Sequence, residues 1–578
     1  MAAPTALIPQ PGKVEEAATL RPAAALRPWI ASLLLVLPAA IPYTVHALIR
    51  KPYSLPTGYI QYDMPIYMAK AREYFDAGRP RVSYSNPCSD SYAGPRLYFQ
   101  PWTWALGLVH HYSGQAPGTV LVGFWGLAAL VCARAALALY CEVVGLDTKA
   151  EQLGLVLFFW GGGLIAWAGV VWAWFAKGTV GPRDVFALEP FDGWWFLNFG
   201  RNLVYPTEAF YHAVFFLCLL AAMRGKCMTA VLLALLLAAS TPFTGGELLA
   251  VVGAWCLLEV FMPADRRGKG RLLAAIGALS ALFLGYYAGF LERFPEHWLI
   301  AKQMSLDWSY PPWTFLLANG LVAPLALGAW WRQGGAFFAS PRHRLLIAWF
   351  LVSAVLANHG YILPHPRQPI HFDRGYPWAA LFLLGARVLV DLFEAMARRP
   401  RPWGALGAAM IVAVFLMDNG LWLAGFLRAL RSPLLSRSLD YNGVRLTRDQ
   451  AEVLRRLDDH SFAGALLLSE DFTIGYLAIA ETPLRSWVAH PLETPHYRER
   501  RRQVEALFRE GCFLQAWEAR PLLIVIERGP GQETKDPPPW LGGRGAERIF
   551  ENRKYQIYRV GSDSSSPIGK PDPGAQDS

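Results

Sequence analysis

GGELLAVVGAWCLLEVFM (245–262), PADRRGKGR (263–271) and LLAAIGALSALFLGYYAGFL (272–291) follow one another near the middle of the chain. The outer two pieces are apolar and each approaches the ~20 residues a helix needs to cross roughly 30 Å of hydrocarbon. The piece between them carries Arg266, Arg267, Lys269 and Arg271. Short loops rich in arginine and lysine stay on the cytoplasmic side of a membrane, so this stretch predicts both a spanning pair and its orientation. The pattern repeats outward. Apolar segments at 28–49, 118–141, 153–176, 206–223, 227–241, 313–331, 345–358, 377–396 and 404–427 bring the total to eleven. Basic clusters recur at Arg224 and Lys226, at Arg332, Arg342 and Arg344, and at Arg398, Arg399 and Arg401. Eleven crossings from an inside N-terminus put every cluster on the cytoplasmic face. The expected fold is mainly α: a polytopic helical membrane protein with about 11 transmembrane helices.

Composition agrees. Of 578 residues, 54% are hydrophobic and only 17% charged, and the mean hydropathy is +0.24. A soluble globular domain of this length rarely carries so little charge. The net charge of +10 resides largely in insertion signals, so no nucleic-acid partner is expected. Residues 1–27 lack the features of a cleavable signal peptide and read as a cytoplasmic N-terminal segment, with 28–49 a retained helix. The seven cysteines show no metal-type spacing; Cys88 and Cys512 fall on the outer side, where one disulfide is conceivable.

The transmembrane domain then occupies 28–427, with outer loops at 51–117, 177–205, 292–312 and 358–376. In the first loop, 64–77 reads as an amphipathic helix through Ile66, Met68, Ala71 and Phe75. Pro242, Gly245 and Gly246 predict a tight outer turn between two short helices. Glu247 is then either buried near the boundary, where a carboxylate is costly unless paired, or solvated in the turn. From about 428 the composition becomes that of a soluble domain. A capping box at Thr447 and Gln450, strands at 463–468 and 521–527, a charged helix at 494–512 and terminal strands at 549–560 predict a small α/β domain over 428–560. The tail 561–578 is Ser/Pro/Gly-rich and expected to be disordered. No internal repeat is evident, which disfavours a transporter built from inverted repeats.

Polar chemistry collects on the outer side. Asp63, in Tyr62-Asp63-Met64-Pro65-Ile66-Tyr67, has a ready structural explanation as a helix N-cap. His359, His365, Arg367, His371, Asp373 and Arg374 share one loop. Arginine forks match phosphate oxygens and histidines add donors or hold a divalent cation, whereas the bland alternative is a proline-braced connector. Glu208 and His212 stand at i, i+4 on one helix, after Arg201. Such a pair assists a base or holds a cation, but is more often a local ion pair. Trp172, Trp194 and Trp195 suit sugar stacking and membrane-interface belts equally.

An inside N-terminus, one helix, and a long outer loop opening with Asp63 before Met-Pro-Ile-Tyr-Met-Ala-Lys-Ala, then Ala77-Gly78-Arg79-Pro80, resembles the GT-C superfamily. These are polytopic glycosyltransferases that use polyprenyl-phosphate sugars. The stretch Leu468-Ser-Glu-Asp-Phe-Thr-Ile-Gly475 through His490-Pro-Leu-Glu493-Thr494 also resembles the outer domain of bacterial relatives. Many members carry Asp-Glu in the first loop; here Met64 follows the aspartate, so a second carboxylate comes from elsewhere or is unnecessary. The resemblance implies an inverting hexosyl or pentosyl transfer at the extracytoplasmic face of the inner membrane, with Asp63 as general base. On their own chemistry Arg367, His371, Arg374 and His365 are the candidates to bind the donor phosphate, with Glu208, His212, Glu247 and Arg201 as candidates to assist. The implied partners are a polyprenyl-phosphate-linked sugar, a glycan, lipid or protein acceptor, and membrane lipids. No cofactor is certain, and a divalent cation stays open. The alternatives are a transporter or flippase of lipid-linked glycans, or a non-catalytic assembly protein.

Overall fold

The computed structural model describes residues 22–49, 54–76, 80–92, 94–181, 184–190, 197–262, 266–304, 308–431, 444–518, 520–528 and 537–561. The first 21 residues, Trp194, Trp195 and the tail from 562 lie outside that set. Proline opens most of the long helices, because its missing N–H is one that a first turn leaves unpaired anyway. The helices are α1 (Pro22–Leu48), α2 (Met64–Glu73), α3 (Pro101–Ser113), α4 (Pro117–Val143), α5 (Lys149–Trp160) and α6 (Ile165–Lys177). They continue as α7 (Pro206–Met223), α8 (Cys227–Ser240), α9 (Pro242–Val260), α10 (Arg266–Leu284) and α11 (Pro295–Met304). After those come α12 (Pro312–Ala318), α13 (Val322–Gln333), α14 (Pro341–Ala357), α15 (Tyr376–Ala397) and α16 (Trp403–Arg431).

All eleven apolar stretches are helical, but they are not equivalent. Six helices among the described residues are long and apolar enough to cross a membrane, or eight spans if each of two bent pairs counts as one. The other three are α8 with 14 residues, α14 with 17, and α15 with 22, most of them buried inside the protein. The protein is a polytopic helical membrane protein.

Two stretches expected to be continuous are broken. The α5–α6 pair bends by 66° and the α12–α13 pair by 68°. A broken helix in hydrocarbon must satisfy its freed backbone groups inside the protein, and here the two breaks face each other. Leu164 N donates to Leu317 O (2.8 Å) and Gly162 N to Phe415 O (2.7 Å). A Cβ on Gly163 would lie 2.2 Å from Ala318 O, so only glycine allows the approach. The outer turn between α8 and α9 is shorter than its glycines suggest. Thr241 alone links them, and Gly245 sits inside α9, its Cα face against Ala238.

Helix direction sorts the loops to two ends. α7 runs from Glu208 to Arg224, which meets Glu142 near the end of α4 at 3.0 Å. α9 runs from Phe243 to Glu259, which meets Arg344 at 2.6 Å. The basic clusters at 224, 342 and 344 therefore gather at one end, opposite the loops that carry Asp63 and 365–374.

The C-terminal part comprises α17 (Arg448–Leu457), α18 (Phe472–Glu481) and α19 (Tyr497–Glu510) around a sheet. A separate two-stranded ladder pairs β1 (Leu55–Pro56), from the first loop, antiparallel with β2 (Arg445–Leu446), and the sheet itself holds β3 (Leu466–Ser469), β4 (Arg485–Ser486), β5 (Leu522–Glu527), β6 (Glu547–Glu551) and β7 (Tyr555–Val560) in the order β4-β3-β5-β7-β6. β3 is parallel to β4 and β5, and β7 is antiparallel to β5 and β6. The continuous apolar runs LLL and LLIV suit strands covered on both faces. Leu467, Leu523 and Val525 meet α17 and α18, while Leu466, Leu468, Leu522 and Ile524 meet Val504 and Leu507 of α19. Thr447 and Gln450 form the expected capping box. The free thiols of Cys88, buried, and Cys512, exposed, are not joined.

This domain sits directly on the first outer loop. α2, expected to be amphipathic, is buried over most of its length because α18 and α3 cover it. Tyr59 Oη donates to Glu481 (2.9 Å), Arg72 Nη1 to Ala480 O (3.3 Å) and Arg485 Nη2 to Glu73 (2.7 Å).

Candidate active site

Between the first loop, the starts of α7 and α9, α11, the 365–374 loop and the C-terminal domain lies a cavity of about 1030 Å³. Asp63, Glu208, His365, Arg367, His371 and Arg374 all line it. So do residues that sequence reasoning did not assign to the site: Lys70, Tyr67, Tyr205, His297, His490 and Glu493.

Asp63 occupies the N-cap position of α2 but makes no side-chain cap bond. Its own backbone is helical, and Pro65 withholds one N–H that a cap would take. The carboxylate turns toward the C-terminal domain instead. Oδ1 lies 2.9 Å from His490 Nε2, and Oδ2 accepts a long 3.4 Å bond from Gln61 Nε2. Leu492 N donates to His490 Nδ1 (3.2 Å), so that nitrogen is an acceptor and the ring proton sits on Nε2, facing Asp63. Tyr62 stacks on the imidazole with 5° between planes, leaving the His490 side chain 4% exposed against 31% for Asp63. Gln61 is itself held, its Oε1 accepting from Tyr205 Oη (2.6 Å) and Asp63 N (3.0 Å). One carboxylate oxygen is thus tied down, and the other has only a weak partner and faces open space.

Lys70 pairs with Glu493 at 2.5 Å, one turn further along α2 from Tyr67. Glu493 is a second carboxylate in the cavity, supplied by the C-terminal domain, while Met64 is buried with its sulfur accepting from Ile60 N. Tyr67 lies close enough to Asp63, Arg374 and Glu208 to feel all three charges; burial first and Asp63 second raise its pKa above the ordinary phenol value.

Arg374 is half-buried and forms an ion pair with Glu208. The expected Glu208–His212 side-chain pair is not made. His212 Nδ1 lies 2.8 Å from the Glu208 carbonyl and Nε2 2.9 Å from the Arg374 carbonyl, so the imidazole splices α7 to the loop. Gly375, at φ 77°, turns the chain from Arg374 into α15 where a Cβ would strike Phe199 N. His371 is sandwiched between Phe243 (4.3 Å) and Trp308 (5.5 Å); burial, then the Arg374 charge, hold its pKa well below the usual value and keep it neutral. His365 is exposed, and Arg367, its side chain 76% exposed, pairs with Glu292 at 3.2 Å. These two stand at the rim.

The walls carry Asp63, Glu208, Glu292 and Glu493 against Lys70, Lys302, Arg367 and Arg374, which balance. Three of those cations already hold a carboxylate. Three residues expected to assist, His212, Arg201 and Glu247, do not line the cavity. Arg201 is fully buried and bonded to Glu189 (2.6 Å), Asp418 (3.0 Å) and Asn419 (2.8 Å). Asp418 also accepts from Gly163 N and Asn419 donates to Trp160 O and Gly161 O, so this network seals the α5–α6 break. Burial lifts Glu189 to about 7 despite Arg201. Glu247 is buried in α9 and accepts from Ser353. Asp373, also outside the cavity lining, accepts from Tyr310, and burial lifts it to about 8. Among the described residues no three His, Cys, Asp or Glu side chains converge as a metal site.

No protein-family model matches this chain. No curated protein is similar to it in sequence. Several solved structures are similar in part, among them the three that follow. The Archaeoglobus fulgidus oligosaccharyltransferase, tethered with an acceptor peptide containing the NVT sequon, is 12% identical over 86% of this chain and 70% of its own, with a TM-score of 0.45. The oligosaccharyltransferase AglB from the same organism, in complex with an inhibitory peptide and a dolichol-phosphate, is 13% identical over 81% and 65%, with a TM-score of 0.44. ArnT from Cupriavidus metallidurans, in the apo state, is 12% identical over 93% and 98%, with a TM-score of 0.41. The chain therefore spans about two thirds of the length of AglB. What the cavity can do follows from its own residues.

Proposed function

We propose that this chain is a membrane glycosyltransferase that moves a sugar from a polyprenyl-phosphate carrier to a hydroxyl-bearing acceptor, at the membrane face opposite the basic loops. The observation that carries this reading is the convergence of an oriented carboxylate, Asp63, and a half-buried guanidinium, Arg374, on one cavity of about 1030 Å³. A base and a phosphate partner are what displacement of a lipid phosphate from an anomeric carbon requires.

In the proposed step Asp63 Oδ2 takes the proton of the acceptor hydroxyl as its oxygen forms a bond to C1 of the sugar. The bond from C1 to the phosphate oxygen breaks with inversion, and the lipid phosphate leaves with that electron pair. A placed base contributes about 10²–10⁴-fold in rate. His490, donating to Oδ1, is a positioning residue. Arg374 offers planar donors to the leaving phosphate, sharing them with Glu208, and neutral His371 adds a hydrogen bond. His365 and Arg367 meet the headgroup at the rim. A charge-balanced wall favours the phosphate monoester leaving group only locally, at Arg374 and Lys70, and so disfavours nonspecific capture of anions.

Purified protein incubated with a polyprenyl-phosphate sugar and membrane extract tests the reading. Transfer should fall by about 10²–10⁴-fold in Asp63→Asn at normal expression. Undiminished transfer in that variant refutes the assignment of the base. Movement of the intact lipid-linked sugar across vesicles without transfer would favour a flippase instead.

A further inference from the structure

At the end of the bundle away from Asp63, a second groove of about 860 Å³ runs between α1, α4 and α5. Its polar edge holds Arg27, Arg134, Arg224 and Arg342 with a single carboxylate, Glu142. Glu142 is spent on two of them, meeting Arg342 at 2.6 Å and Arg224 at 3.0 Å. The edge therefore carries three positive charges in excess. Arg134 is the decisive residue. It lies nine residues, about 14 Å, inside the end of α4, is half-buried, and makes no hydrogen bond or ion pair with any described residue. A guanidinium at that depth in a spanning helix is costly unless an anion accompanies it, and it is too far from the loop to act as a simple insertion signal. The floor of the groove is apolar, formed by Leu34 and Leu35 of α1 with Leu155 and Val156 of α5.

We propose that this groove binds an anionic phospholipid, its phosphate between Arg134 and Arg27 and its acyl chains against α1 and α5. The phosphate chemistry is shared with free phosphate, but only a lipid also covers the leucine floor and reaches Arg134 from within the hydrocarbon. Basic pockets between transmembrane helices favour anionic headgroups for this reason. The proposal is independent of any sugar transfer at the other end.

The test uses the full chain in neutral detergent, titrated with phosphatidylglycerol, phosphatidylcholine or inorganic phosphate, with bound lipid counted by native mass spectrometry. Phosphatidylglycerol should be retained in preference to phosphatidylcholine, and Arg134→Gln should weaken it about five-fold, the effect of one basic side chain near a membrane surface. Arg398→Gln, a basic-end residue outside the groove, should change nothing. Glu142→Gln, which frees Arg224 and Arg342, should tighten binding and keeps the test alive if Arg134→Gln does not fold. Equal retention of both lipids overturns the proposal, as does equal loss in Arg398→Gln and Arg134→Gln, or weaker binding in Glu142→Gln. Displacement of phosphatidylglycerol by millimolar phosphate would show a free-anion site and overturn the lipid assignment.

Discussion

Removing His490 isolates the contribution of the C-terminal domain to the proposed chemistry. The imidazole gives Asp63 one hydrogen bond of 2.9 Å. Hydrogen bonds to a charged group contribute about 1.5–3 kcal/mol. The Asp63 side chain is 31% exposed, so water replaces part of the lost bond. The lower bound, about 1.5 kcal/mol, is therefore the expected loss, which corresponds to roughly ten-fold in rate. His490→Ala should lower kcat by about that factor while leaving the donor KM in place, because the ring touches the base and not the phosphate partners. His490→Gln, which can present an amide N–H where Nε2 stood, should recover most of the loss. The decisive arm is the double variant Asp63→Asn/His490→Ala. If His490 acts only through Asp63, it should be no slower than Asp63→Asn alone. Single-turnover transfer with saturating donor measures all four proteins. Multiplicative losses, or a His490→Gln variant as slow as His490→Ala, would falsify the positioning role and leave His490 as part of the domain's packing.

Three further outcomes are expected. Arg374→Met should destabilise the protein by about 3–5 kcal/mol, since Glu208 is left buried and unpaired; adding Glu208→Leu should restore the melting temperature in detergent while the donor KM stays raised, and full recovery of KM would remove Arg374 from phosphate binding. Glu189 titrates near 7 in the fold and at 4.5 as a free side chain, so the folded state holds an extra proton between those values and stability should fall as pH rises through that window. Asp373, at about 8 against 3.8, acts in the same direction. Glu189→Gln should flatten the slope of melting temperature against pH, and an unaltered slope would contradict the shift. Finally, exposed Cys512 belongs to the domain at the cavity end and exposed Cys141 to the basic end. A membrane-impermeant maleimide applied to intact cells should label Cys512 and spare Cys141, and the reverse pattern would invert the proposed orientation.

Much of the scaffold was legible because hydrophobic length is a local property. Each apolar stretch became helical, and the Thr447 capping box and the strands beginning at Leu466 and Leu522 lie within a residue or three of expectation. The breaks at 161–164 and 319–321 were not read, although Gly161-Gly162-Gly163 is visible, because a break is stable only when distant backbone and the Asp418 carboxylate fill it. The site was half legible. Asp63 and Arg374 drew notice by residue type and loop. His490 stands 427 residues from Asp63 and Asp418 stands 217 from Arg201, so no spacing rule connects either pair. Glu208 illustrates the same limit from the other side: helical spacing pointed to His212, whereas the partner that a buried carboxylate needs, a cation, came from 166 residues away.

The two-residue ladder of Leu55–Pro56 with Arg445–Leu446 joins the beginning of the first loop to the beginning of the last domain. Ribosomal synthesis delivers these partners far apart in time, with nearly the whole bundle made in between. Until residue 490 has been made, Asp63 has no His490 imidazole beside it. A nascent or prematurely terminated chain would insert its helices with the Asp63 carboxylate still unpositioned, so the order of translation delays completion of the proposed site until the last domain is made.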